Sequence, residues 1–223
     1  MIGVLQFPGS NCDMDIIHVI KDVLKEDAKL VFFKDQKGIE DLDGLVVPGG
    51  FSYGDHLRAG GIAGKMPVLE EVKKLAANGK PVLGICNGFQ VLCESGLLPG
   101  ALTNNTTMKF ISKWVELEVD NDQNPFNKNY KKGDIIRMPI AHGEGRYYCD
   151  DDTLKEMRGN NQICFRYHGE NPNGSVDDIA GICNKEGNVL GLMPHPERAS
   201  EAILGSEDGR KMFEGMIEYI KSR

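Results

Sequence analysis

The chain has 223 residues, 26 basic and 33 acidic side chains, a net charge of −7 and 40% hydrophobic residues. That length buries a sizeable core, and with no visible linker it reads as one domain over residues 1–223. The acidic balance without long charge runs argues against a nucleic-acid surface, and no stretch approaches the roughly 18 apolar residues of a membrane span. Met1 to Phe7 lacks the basic segment and apolar core of a leader, so the expected location is cytoplasmic.

In chain order, Ile2 to Phe7 reads as a strand, and Met14 to Leu24 as a helix with apolar residues at Ile16, Ile17, Ile20, Val23 and Leu24. Lys29 to Phe33 and Leu45 to Val47 are further strands. Val68 to Ala77 is a helix closed by Asn78-Gly79, and Val82 to Ile85 is again a strand. Short apolar runs alternating with helices predict an α/β fold, an open mostly parallel sheet with helices on both faces, flavodoxin-like in kind. After Leu98 come Trp114 to Val119, Ile135 to Ile140, Ile163 to Tyr167, Ile179 to Cys183 and Val189 to Met193, with little helix between them. That half is expected to contain antiparallel strands. Gly209 to Ile220 is a closing amphipathic helix.

The six cysteines, Cys12, Cys86, Cys93, Cys149, Cys164 and Cys183, show no C-x-x-C spacing. Neither a metal site nor a dithiol motif is expected, and a reducing compartment disfavours disulfides. Five of them read as packing residues. Cys86 is different. In Gly84-Ile85-Cys86-Asn87-Gly88 it falls between a buried strand and the apolar run Phe89-Gln90-Val91-Leu92. Small residues two before and two after let the chain reverse sharply, which lifts the side chain out of the sheet as in a nucleophile elbow. A buried packing cysteine is the competing reading, and the flanking glycines waste the volume such a position would use.

In an open parallel sheet the working groups gather beyond the carboxyl ends of the strands. After Val47 comes Pro48-Gly49-Gly50-Phe51-Ser52-Tyr53-Gly54-Asp55, a loop whose backbone can approach a ligand closely. It is not a P-loop: the nearest fit, Ala59 through Met66, has the wrong residue at both defining ends. No dinucleotide fingerprint follows a strand either. The Gly50 N–H paired with that of Asn87 suits an oxyanion hole. After Met193 comes Pro194-His195-Pro196-Glu197-Arg198, where His195 can act as base and Glu197 can fix its tautomer. The spacing alone does not decide this, because His142-Gly143-Glu144 and His168-Gly169-Glu170 share it. Only His195 has the strand-end and proline context.

Val47-Pro48-Gly49-Gly50, Gly84 to Gln90 and Met193 to Arg198 together resemble class I, or triad, glutamine amidotransferases, in this order and over nearly the whole chain. More narrowly, Gly50 to Asp55, Ala141-His142-Gly143-Glu144-Gly145-Arg146-Tyr147 and Asn171-Pro172-Asn173-Gly174-Ser175 are similar to the glutaminase subunits of phosphoribosylformylglycinamidine synthases of purine biosynthesis. Asn104 to Trp114 departs from that pattern, with Lys113 where arginine is expected. The resemblance implies a triad of Cys86, His195 and Glu197, with an oxyanion hole from the Gly50 and Asn87 N–H groups. It also implies that Gln90 binds glutamine and that His142 and Gly143 clamp the amino acid end of the ligand.

The reaction so implied hydrolyses glutamine through a Cys86 thioester and needs no cofactor or metal in this chain. ATP and magnesium are expected on a synthetase partner, sometimes joined by a small accessory subunit, that converts formylglycinamide ribonucleotide to formylglycinamidine ribonucleotide. The alternatives are a triad glutaminase serving another synthase, a cysteine amidase or peptidase on the same sheet, and a flavodoxin-like binding module without its phosphate loop.

Overall fold

The computed structural model describes all 223 residues. Strands β1 (Ile2–Gln6), β2 (Ala28–Phe32), β3 (Gly44–Val47) and β4 (Val82–Ile85) alternate with helices α1 (Asp13–His18), α2 (Lys37–Glu40) and α3 (Val68–Ala77). Helix α4 (Asn87–Glu94) follows β4 with only Cys86 between them. The second half contributes β5 (Ala101–Thr103), β6 (Ile111–Val119), β7 (Ile135–His142), β8 (Arg146–Tyr148), α5 (Asp151–Gly159), β9 (Ile163–His168), β10 (Ile179–Cys183), β11 (Val189–Leu192) and α6 (Arg210–Lys221).

Nine strands form one sheet in the order β2-β1-β3-β4-β11-β10-β9-β6-β7. The first five run parallel and the last four join antiparallel, so the mixed sheet expected from the sequence is present. Burial explains the two textures. Every residue of β3, β4, β10 and β11 is buried, as strands covered on both faces must be. Toward the far edge, β7 alternates buried Ile136, Met138, Ile140 and His142 with more exposed residues, the pattern of a sheet wetted on one side. Leu83 at the sheet centre is fully buried and contributes about 2 kcal/mol by removal from water.

The helix predicted from Met14 to Leu24 is α1 continued by a π-helical turn, Val19–Val23, in which Leu24 N–H donates to the Val19 carbonyl. Four elements lie outside the sequence expectation: α2, which is a single turn, together with α5, β5 and β8. Helix α5 was not foreseen because only Met157 of its residues is buried, leaving no apolar stripe; an Asp150 N-cap, accepting from Thr153 N–H at 2.7 Å, starts it instead. A two-stranded sheet of β5 and β8 was missed too, each strand being only three residues long.

Candidate active site

Four strand ends meet at one place: β1 and β3, where the strand order reverses, and the adjacent pair β4 and β11. Cys86 leaves β4 with φ 50° and ψ −106°, a strained conformation for a residue carrying a Cβ. The flanking glycines permit it by close approach. A Cβ on Gly88 would lie 1.9 Å from the Val47 carbonyl oxygen, and one on Gly84 would lie 2.5 Å from Leu92 and 2.8 Å from Gly88. The elbow is fastened by Cys86 N–H donating to the Leu192 carbonyl at 2.8 Å, which ties it to the strand that feeds His195.

His195 and Glu197 are both buried, with His195 Nδ1 2.6 Å from Glu197 Oε1. His195 N–H donates to the Pro139 carbonyl at 2.8 Å, which holds the segment against β7. His195 Nε2 is buried without a partner, leaving it free to take a proton. Burial alone would lower the His195 pKa, but the Glu197 carboxylate and the neighbouring Cys86 sulfur hold it well above the usual histidine value. The Cys86 sulfur points toward the Ala141 carbonyl at 3.7 Å. Gly49 packs these groups together: a Cβ there would meet His195 Cε1 at 2.9 Å, Cys12 Sγ at 3.0 Å and Cys86 Cβ at 3.5 Å.

Cys86 and His195 open on a cavity of about 140 Å³, bounded also by Asn11, Cys12, Gly50, Phe51, Phe110, Ala141 and Arg198. Exposed Phe51 and Phe110 stand with ring centroids 6.5 Å apart. Gly50 belongs to the wall, and its N–H and that of Asn87, at the first turn of α4, have no backbone carbonyl partner.

The remaining residues singled out in the sequence lie around this cavity rather than in its wall. Both ends of the buried Gln90 amide are held by protein: Asn87 Nδ2 donates to its oxygen at 2.8 Å, and its Nε2 donates to the Glu144 carbonyl at 2.7 Å. Contact between Gln90 and a ligand would require exchanging one of these bonds. His142 is buried, and its pKa is lowered to about 4, first by burial and then by the charge of His195. Gly143 approaches Phe110 at the mouth. His168, by contrast, is exposed on β9 beside Glu118 at 3.8 Å, and Glu170 pairs with Lys113; that His-Gly-Glu triplet lies outside the site.

Sequence reading missed Asn11 and Cys12, although β1 is a strand whose carboxyl end could have been read like the others. It also missed Asn105. This fully buried side chain donates to the His142 and Lys109 carbonyls and accepts from Gly145 N–H, while its Oδ1 lies 3.1 Å from His142 Nδ1. Its own N–H donates to the Gly143 carbonyl at 2.9 Å. Asn105 thus fixes the whole His142–Gly145 turn.

The family model described as a CobB/CobQ-like glutamine amidotransferase domain matches residues 1–220. The chain belongs to this family. Among curated relatives of this amidotransferase, phosphoribosylformylglycinamidine synthase subunit PurQ of Methanosarcina acetivorans is 56% identical, covering 98% of this chain and 97% of that protein. The subunit of the same description from Methanocaldococcus jannaschii is 53% identical, covering 99% and 98%. A chain in the structure of PurLQS from Thermotoga maritima superposes with a TM-score of 0.90 at 45% identity, covering 98% of both chains. The glutaminase domain of Trypanosoma brucei CTPS shares the amidotransferase fold, with a TM-score of 0.64 at 14% identity over 97% of this chain and 93% of that one.

Proposed function

We infer that this chain is the glutaminase subunit of a phosphoribosylformylglycinamidine synthase. One observation carries the reading: the strained Cys86 and a buried histidine backed by Glu197 line one small cavity in a chain 56% identical over 98% of its length to such a subunit. Glutamine enters the cavity and Cys86 attacks its side-chain amide carbon, the thiol proton passing to His195 Nε2. The Gly50 and Asn87 N–H groups hold the oxyanion, and His195 returns the proton to departing ammonia. A water molecule then gives its proton to His195 and attacks the glutamyl thioester, releasing glutamate and restoring the Cys86 thiol. Glu197 keeps the imidazole oriented and stabilises its charged form.

His142 and Gly143 offer backbone at the mouth to the amino acid end of glutamine. Gln90 supports that turn through the Glu144 carbonyl. The reaction calls for no cofactor in this chain. ATP and magnesium belong to a separate synthetase subunit, with or without a small accessory subunit, which receives the ammonia in the cytoplasm.

The test is reconstitution with the synthetase subunit, measuring formylglycinamidine ribonucleotide formed from glutamine or from ammonium salt at saturating ATP. His195→Ala is expected to abolish the glutamine reaction and spare the ammonium reaction. Retained glutamine use would overturn the triad, and failure of ammonium would overturn the division of labour between subunits.

A further inference from the structure

Of the five buried thiols that the glutaminase chemistry leaves unused, only Cys12 lines the cavity. Cys12 Sγ lies 3.9 Å from His195 Nδ1 in the wall of the cavity, and together with Glu197 it completes a group whose ligand atoms all lie within 4.8 Å of one another. All three side chains are buried. We propose that Cys12, His195 and Glu197 form a zinc site that, when filled, shuts off the catalytic histidine.

Sulfur, imidazole nitrogen and carboxylate oxygen are the donor set of tetrahedral zinc. Its bond lengths place sulfur and nitrogen roughly 3.5 Å apart, so the observed separation has to close by only a few tenths of an ångström. Glu197 Oε1 already faces His195 Nδ1, but Glu197 Oε2 is buried without a partner, so rotation of the carboxylate presents a free oxygen to the ion. The adjoining cavity of about 140 Å³ has room for water as a fourth ligand. Binding releases the Cys12 thiol proton to solvent and moves the imidazole proton from Nδ1 to Nε2, so the histidine ligates as neutral imidazole. With zinc on Nδ1, the imidazole loses the basicity it needs at Nε2. Arg198 opposes the ion, since its Nη2 lies 3.1 Å from Cys12 Sγ and its Nε 3.8 Å from Glu197 Oε1.

The inhibitory consequence rests on the glutaminase reading; the binding does not, and cobalt(II) as a spectroscopic substitute separates the two. The full-length chain is expected to take up one equivalent of cobalt with a thiolate charge-transfer band and the intense visible bands of tetrahedral coordination, all displaced by zinc. Cys12→Ser should abolish the charge-transfer band, Cys86→Ser should retain it, and Glu197→Gln should weaken binding at least tenfold. Arg198→Gln, which removes the opposing cation, should tighten binding, and it decides the matter if Cys12→Ser does not fold. No band in the unmodified chain, a band that survives Cys12→Ser or vanishes with Cys86→Ser, or unchanged or weaker binding by Arg198→Gln overturns the site. If cobalt binds as described but zinc leaves glutamine hydrolysis untouched, the site stands and its coupling to catalysis falls.

Discussion

Glu197 Oε1 lies 2.6 Å from His195 Nδ1, and both residues are sealed from solvent. An orienting carboxylate in that position assists the base without itself reacting. Glu197→Gln is therefore expected to fold and to lower turnover by about 10²–10⁴-fold, whereas Cys86→Ala reduces glutamine hydrolysis to background. Steady-state rates of purified, folded variants check the ranking, and equal losses contradict it.

A glutamine-mimicking electrophile should label Cys86 and spare the other thiols. Burial raises the pKa of Cys12 and Cys149 and holds Cys93 and Cys164 well above the ordinary thiol range; Cys183 is lowered by its hydrogen bond with Cys164, and it is burial in the sheet that shields it. Peptide mass mapping after limited reaction reads the outcome. Label on Cys12, which shares the cavity, would show that position in the wall suffices without the elbow.

The two buried histidines titrate in opposite directions, which predicts a stability maximum near the ordinary histidine pKa of about 6.5. His142, lowered to about 4, binds fewer protons folded than unfolded between about 4 and 6.5, so stability falls as the pH drops through that window, by about 3 kcal/mol at most. His195, raised well above the usual value, contributes stability that is full below about 6.5 and is lost as the pH rises through its folded pKa. Denaturant titrations across this range should find the acid limb flattened in His142→Gln and the alkaline limb flattened in Glu197→Gln. Unaltered limbs would show that other groups dominate.

Glycines at the site differ in what an added methyl would strike. Gly88→Ala drives a Cβ into the backbone carbonyl of Val47 and is expected to cost about 3 kcal/mol or more. Gly49→Ala presses instead on His195, Cys12 and Cys86 side chains, so it should fold and lose turnover, about 10²-fold for a displacement near 1 Å. Gly159→Ala in α5 meets nothing within 4 Å and should be neutral or slightly stabilising. Thermal melts and rates on the three variants separate these cases.

What the sequence made legible was local. The elbow could be read from glycines on either side of Cys86, and the parallel strands from apolar runs such as Leu45-Val46-Val47, because both signals lie within a few residues. His195 needed its prolines, its strand end and a family resemblance to stand apart from His142 and His168. Cys12 escaped because its partner His195 is 183 residues away, and Asn105 because it acts on a turn 37 to 40 residues downstream. Helix α5 is held by a cap and solvated charge, so its period carried no apolar signal.

Strand β11 sits between β4 and β10, so the parallel half of the sheet and the antiparallel half touch through a strand that is the last to be synthesised. Ile85 is in register with Leu192, and that pairing delivers His195 to Cys86. On the proposed roles, a nascent chain that has emerged from the ribosome only as far as α5 carries the thiol but not the base that would serve it. Its chemistry is switched on by closure of the sheet, and a one-residue slip of β11 would turn every side chain of that strand to the opposite face and leave a sheet with a cysteine and no catalyst.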